Sequence, residues 1–80
     1  MNDADILTRI SELVEEEHQL YTRGEQASLD DEQRARLHEL AVNLDQCWDL
    51  LRQRRARREF GLDPGEAKVR DAATVEHYQQ

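Results

Sequence analysis

One stretch of the chain, residues 37–51, reads LHELAVNLDQCWDLL. Its apolar residues are spaced alternately by three and four, which is the heptad pattern of a helix with one apolar seam. These seam residues are Leu37, Leu40, Leu44, Cys47 and Leu51. Ala41 and Trp48 widen the seam on one side. We therefore expect a long helix over about residues 31–60, with Asp30 as N-cap and Gln33 as its reciprocal partner, or with Ser28 and Asp31 in these roles.

The region before this stretch carries a second seam of the same kind. Ile6, Ile10, Leu13 and Leu20 keep the helical spacing, and Glu17 stands where a further apolar residue would continue it. Leu7, Val14 and Tyr21 form a flanking stripe at intervals of seven. The pattern predicts an amphipathic helix over about residues 5–23. Gly24 is its expected end, because glycine readily adopts the left-handed conformation that closes many helices.

The two seams match when the helices pair antiparallel across a short loop. In the best register the residue numbers of facing positions sum to about 57, so that Leu13 faces Leu44 and Arg54 faces Asp3. The flanking stripes then widen the apolar surface on one side of the pair. We call this surface the apolar flank; it consists of Leu7, Val14, Tyr21, Ala41 and Trp48. The fold class is therefore all-α, an antiparallel two-helix hairpin resembling a coiled coil, in one domain spanning residues 1–80.

The C-terminal segment, residues 61–80, begins with Gly61, an expected helix end. Asp63 as N-cap followed by Pro64 predicts a short third helix over about residues 64–71, and then an extended tail. The tail offers three side chains that could dock on the hairpin: Val69, Val75 and Tyr78. Because a two-helix pair covers only the seam between its helices, either this segment or a second copy of the chain is expected to cover the apolar flank.

Composition and charge restrict the class of protein. Charged residues make up 36% and hydrophobic residues 38% of the chain, and its net charge is −7. Residues 1–33 carry ten acidic and two basic side chains, whereas residues 34–60 carry four acidic and seven basic ones. Overall acidity argues against general nucleic-acid binding. The single cysteine, the acidic N-terminus and the lack of a long apolar run lead us to expect a cytoplasmic protein without a membrane span.

A cluster of arginines is the most conspicuous charged feature. It comprises Arg52, Arg54, Arg55, Arg57 and Arg58. Guanidinium groups on successive helical turns could bind phosphate oxygens, which makes an anion or nucleic-acid site the alternative functional hypothesis. Cations are also favourable near any helix C-terminus, and these five point in several directions without interleaved aromatic residues. We therefore favour a structural role for them.

Two other features could carry chemistry. Glu15 and His18 have the Glu-x-x-His spacing of bundle metal sites, with Glu17 and His38 nearby, which would suit a dimeric metal carrier. However, the second helix has Ala35 where the matching acid should stand, so we expect no metal. Cys47 lies on the seam, where a free thiol behaves as a small hydrophobe. With no catalytic motif in the sequence, we expect neither enzymatic activity nor a cofactor.

Residues 44–56, LDQCWDLLRQRRA, resemble the signature of a family of very short actinobacterial proteins classed as a domain of unknown function. Residues 13–20, 61–64 and 75–78 resemble other blocks of that family, although residues 71–74 lack its usual proline-containing turn. The resemblance implies a helical hairpin with no assigned activity or catalytic residues. It also implies that polar signature residues of the second helix form a partner-binding surface. These are Asp45, Gln46, Asp49, Gln53 and the arginines.

Taken together, the sequence predicts a non-enzymatic interaction or structural module. Its expected partner is a second copy of the chain, forming a homodimer, or another helical protein. The apolar flank is the predicted contact surface, with Trp48 as its anchor, because tryptophan is enriched among binding hot spots.

Overall fold

The computed structural model of the protein describes residues 1–77. Helix α1 spans Asp3–Gln26 and helix α2 spans Asp31–Glu59. A 3-10 turn at Pro64–Glu66 and a short helix α3 at Ala72–His77 follow them. These residues contain no strand, and the two long helices pack against each other as an antiparallel hairpin, so the predicted fold class is confirmed.

Both long helices begin with a capping box. At α2 the Gln33 backbone N–H donates to the Asp30 Oδ1 at 2.8 Å, and the Asp30 N–H donates to the Gln33 Oε1 at 3.0 Å. Of the two starts that the sequence allowed, the one at Asp30 is therefore correct. At α1 the same arrangement joins Asn2 and Asp5, which places the helix start two residues before the predicted one. Each box satisfies backbone N–H groups that have no partner within the helix.

Gly24 does not end α1, and that prediction is wrong. The helix continues to Gln26 and ends with Ala27 in an extended conformation. A Cβ added at Gly24 would lie 3.4 Å from the Leu29 Cγ. This is an ordinary van der Waals distance, so Gly24 lies within the helix beside the half-buried Leu29 of the loop.

The end of α2 matches its sequence signal. Gly61 has a φ of +72°, in the left-handed region that glycine tolerates best. Its N–H donates to the Arg58 carbonyl, and the Leu62 N–H donates to the Arg57 carbonyl at 2.7 Å. This is the Schellman arrangement, which satisfies carbonyl groups of the last helical turn.

The core is the seam between α1 and α2. Its buried residues form two clusters, Ile6, Ile10 and Leu50 near the open end of the hairpin and Leu13, Leu20 and Leu40 near the loop. Leu44 and Cys47 pack against both clusters. The Arg54 Nε donates to the Asp3 Oδ1 at 2.5 Å, so these residues face each other as the predicted register requires. Leu50 was not among the predicted seam residues, although it is buried.

The C-terminal segment differs from its prediction. The turn that starts at Pro64 ends at Glu66, and the helical residues come later, in α3. Between them the chain is extended along α2. Val75 is buried as a docking residue, whereas Val69 remains 60% exposed, and Tyr78 lies outside the described residues.

Candidate functional site

The apolar flank is exposed. Leu7 and Val14 on α1 are 48% and 47% accessible, Tyr21 is 57% accessible, and Trp48 on α2 is 45% accessible. Ala41 is exposed as well. Side chains this apolar are normally covered when several of them adjoin. The flank is therefore a group of exposed apolar side chains on both long helices.

The flank residues share one side of the hairpin for a geometric reason. Each of them follows a seam residue by one position, as Leu7 follows Ile6 and Trp48 follows Cys47. One residue advances a helix by about 100° in a fixed sense. When two antiparallel helices face each other, this rotation turns the following residue of each helix toward the same side of the pair. The two stripes therefore adjoin.

The C-terminal segment packs on the other side of the seam. Its contacts on α2 are made by Gln46, Leu50 and Gln53, which precede seam positions by one residue and so point away from the flank. Ala67 packs against Leu50 and its cluster. Within residues 1–77, the C-terminal segment therefore leaves the flank uncovered.

Polar side chains of α2 hold the C-terminal segment by its backbone carbonyl groups. Gln46 donates to the Arg70 carbonyl at 3.1 Å, and Gln53 donates to the Lys68 carbonyl at 2.7 Å. Gln53 also donates to the Asp49 Oδ2 at 2.9 Å. Arg54 donates to the Pro64 carbonyl at 3.1 Å, and Arg57 donates to the Asp63 carbonyl at 2.6 Å. We call this set of α2 residues the C-terminal clamp; its members are Gln46, Asp49, Gln53, Arg54 and Arg57.

Asp49 is the centre of the clamp. It is only 3% exposed, and its carboxylate also lies 3.5 Å from the Arg70 Nε. A buried carboxylate is tolerated when it accepts such bonds. The clamp explains the polar identities of the signature sequence differently from the resemblance, which implied a partner-binding surface. Gln46, Asp49 and Gln53 bind the chain's own C-terminal segment.

The structure does not bring the arginine cluster together as an anion site. Arg54 and Arg58 both contact the Asp3 carboxylate, and their hydrogen bonds lower the pKa of Asp3. Arg57 donates to the Asp63 carbonyl and pairs with Glu66, while the exposed Arg55 lies 3.3 Å from Glu59. Among residues 1–77, Arg52 has no such partner. Four of the five guanidinium groups therefore have intramolecular roles.

The candidate metal residues Glu15 and His18 are exposed and lie one turn apart on α1, without further ligands grouped around them in residues 1–77. Glu16, beside Glu15 and Glu17, accepts a bidentate hydrogen bond from the Arg36 guanidinium, which lowers the pKa of Glu16. His38 faces Glu76 at 3.6 Å rather than Glu17. In the described part of the chain, no three His, Cys, Asp or Glu side chains are grouped so that they could hold a metal ion.

Cys47 lies in a cleft between α1, α2 and the C-terminal segment. The cleft has a volume of about 240 Å³ and is lined mainly by apolar side chains, with the Arg9 guanidinium at its edge. Burial raises the pKa of the Cys47 thiol, and Arg9 only partly opposes this shift. A raised pKa reduces the thiolate fraction, which is the reactive form. The environment of Cys47 therefore suits packing better than nucleophilic chemistry.

These features define a class of protein: a small helical hairpin with a clamped C-terminal segment and an apolar flank that the described residues, 1–77, leave exposed. No helix in residues 1–77 is long and apolar enough to cross a bilayer.

The family model described as "Protein of unknown function (DUF2630)" matches residues 2–80, and the chain belongs to this family. The resemblance seen in the sequence is thus confirmed.

Relatives from mycobacteria match along nearly the whole chain. The uncharacterized protein Rv0898c of Mycobacterium tuberculosis is 46% identical over 77 residues, which cover 95% of this chain and 88% of the relative. The uncharacterized protein Mb0922c of Mycobacterium bovis matches with the same identity and coverage. No solved structure matches significantly.

Proposed function

We propose that the protein is a non-enzymatic interaction module of the cytoplasm that self-associates as a homodimer through the apolar flank. The observation that carries this proposal is the exposure of Leu7, Val14, Tyr21 and Trp48 together on the side that residues 61–77 leave open.

A second copy is the partner that this surface suits best. On α1 the flank extends over two heptads, from Leu7 to Tyr21, which is about 21 Å along a helix of 24 residues. Two hairpins that join such flanks form an antiparallel four-helix bundle, in which each helix gains a second neighbour. A two-fold contact of one surface with itself is also the commonest form of association among soluble proteins.

Other features support the remaining parts of the proposal. The cleft at Cys47 is smaller than the usual ligand pocket of about 300–1,000 Å³, which favours a role without catalysis. The chain has one cysteine and so cannot form an intrachain disulfide. This supports a reducing compartment such as the cytoplasm.

The oligomeric state of the full chain tests the proposal. Size exclusion coupled to light scattering should give twice the chain mass at high micromolar concentration. Trp48→Ala should weaken association by at least about 2 kcal/mol, or roughly thirtyfold in Kd, because buried tryptophans act as hot spots. Phe60→Ala is the matched control, since Phe60 is an aromatic residue that is 80% exposed and lies outside the flank.

Two results would overturn the proposal. One is a monomeric mass for the unmodified chain at every concentration reached. The other is a dimer that Trp48→Ala and Phe60→Ala weaken equally, which would place the contact elsewhere.

A further inference from the structure

We propose that the two copies are related by a two-fold axis parallel to the long axis of the hairpin, so that α1 of each copy packs against α2 of the other. This inference rests on the proposed function, since it specifies how the apolar flanks meet.

Two symmetric arrangements can join the flanks face to face. With the axis parallel to the hairpin, each α1 lies over the second copy's α2. With the axis perpendicular to the hairpin, α1 lies over α1 and α2 over α2. Both arrangements keep neighbouring helices antiparallel, so helix direction does not distinguish them. The arrangements differ in which side chains lie at the same level along the bundle and in which charged residues meet.

The parallel axis leaves no freedom in register, because rotation about it keeps every residue at its own level along the bundle. The register of the hairpin is fixed by contacts such as that between Asp3 and Arg54. In this register, in which facing residue numbers sum to 57, Leu7 lies about two residues, or about 3 Å, from the level of the second copy's Trp48. Val14 lies equally close to the level of its Ala41. Every flank residue of these two layers meets an apolar one.

The perpendicular axis gives poorer layers. We centre this axis on Val14, because that position gives the longest overlap of the two flanks. Leu7 then lies at the level of the second copy's Tyr21. On α2, however, this axis places Trp48 opposite His38 and Arg52 opposite Arg34. The His38 side chain is 76% exposed and faces Glu76, so this arrangement would set the largest apolar residue against a polar one.

Helix charge favours the parallel axis as well. Helix α1 carries seven acidic and two basic residues, whereas α2 carries six acidic and seven basic ones. Packing α1 against α1 would bring two acidic helices together, which is unfavourable for like charges at close range. Packing α1 against α2 avoids this.

A specific pair of charges lies at the loop end of the flank. Glu25 has no ion-pair partner among residues 1–77. Under the parallel axis, its level along the bundle differs from that of the second copy's Arg34 by about two residues, or about 3 Å. Within residues 1–77, Arg34 donates to the Leu29 carbonyl and pairs with Asp31, whose side chain is 98% exposed. Under the perpendicular axis, Glu25 would instead approach the level of Asp3.

Disulfide trapping between two single-cysteine chains distinguishes the arrangements. We would place Val14→Cys in one full-length chain and Ala41→Cys in another, both in a Cys47→Ala background, and mix them in a glutathione buffer. A parallel background of Cys47→Val keeps more of the apolar volume of the seam. Thr8→Cys is the matched control, because Thr8 is exposed and lies about 120° around α1 from Val14.

The proposal predicts that the mixed disulfide between positions 14 and 41 forms fastest. Neighbouring groups in a complex have an effective concentration in the millimolar range, so the rate should exceed that of Thr8→Cys by roughly a hundredfold at micromolar protein. A disulfide that forms faster between two Val14→Cys chains would refute the parallel axis while leaving self-association through the flank intact. A monomeric mass by light scattering, or a dimer trapped at neither position in either background, would overturn the proposed function itself.

Discussion

Replacing Asp49 with alanine tests whether the C-terminal clamp holds the fold together. Asp49 is a buried carboxylate that accepts a hydrogen bond from Gln53 at 2.9 Å and lies 3.5 Å from the Arg70 guanidinium. Asp49→Ala removes both contacts. Gln53 keeps its hydrogen bond to the Lys68 carbonyl, so the substitution weakens the clamp but does not remove all of its contacts with the C-terminal segment.

The size of the effect follows from these contacts. A hydrogen bond to a charged group contributes about 1.5–3 kcal/mol. The Arg70 side chain is 40% exposed, so its ion pair adds no more than about 1 kcal/mol. Alanine has a higher helix propensity than aspartate, which offsets roughly 0.5 kcal/mol of the lost stability. We therefore expect the free energy of unfolding to fall by about 2 kcal/mol, out of about 4–12 kcal/mol for a chain of this length.

Urea unfolding followed by circular dichroism measures this loss. Protein concentration must be the same for all variants, because a homodimer gains stability with concentration. Glu39→Ala is the control on the same helix; its side chain is 64% exposed, and we expect a change within about 0.5 kcal/mol. Amide exchange in residues 67–75 should accelerate in Asp49→Ala alone. Equal losses in the two variants, with unchanged exchange, would show that the clamp does not stabilise the C-terminal segment.

Two further predictions concern charge. The pKa of Asp3 is lowered by Arg54 and Arg58, and that of Glu16 by Arg36, from ordinary values of 3.8 and 4.5. Lowered values in the folded state mean that both groups stabilise it above those ordinary values, and that this stability is lost as pH falls through the lowered ones. The free energy of unfolding, measured by urea titration, should thus decrease from about pH 5 toward pH 2. The decrease should be less steep in Asp3→Asn. A free energy of unfolding that does not change over this pH range would contradict the ion pairs. Because four of the five clustered arginines are engaged within the chain, we also expect no retention on heparin at low salt. Retention that Arg52→Ala abolishes would revive the anion-binding hypothesis.

Local sequence signals predicted the hairpin well. The spacing of the seam residues determines the packed face of each helix, and Asp30 with Gln33 marks the start of α2 through bonds within one turn. The register could also be predicted, because only one pairing aligns both the seams and the flanks. The contact between Arg54 and Asp3 confirms it.

The path of the C-terminal segment could not be predicted from periodicity. An extended stretch bound through its carbonyl groups has no side-chain pattern of its own, since any residue provides the carbonyl. The burial of Asp49 and Leu50 depends on that path. Gln46, Asp49 and Gln53 do repeat at intervals of three and four on one face of α2, and a stripe of polar residues around a leucine is the signal that could have indicated a docked segment.

Gly24 shows that a glycine in the sequence does not always mark the end of a helix. The residue type predicts a helix end there, yet Gly24 lies inside α1 and its φ is not positive. Gly61, with the same residue type, does end a helix, because its φ is positive. The two glycines therefore differ in backbone conformation, which the residue type alone does not determine.

Trp48 itself reports on the central claim, that the apolar flank is the surface of self-association. It is the chain's single tryptophan and is 45% exposed in the isolated hairpin. As concentration rises from submicromolar to high micromolar, its fluorescence should shift to shorter wavelength and acrylamide should quench it less, in step with the rise in mass. A mass that doubles while the Trp48 emission and quenching stay constant would contradict the claim.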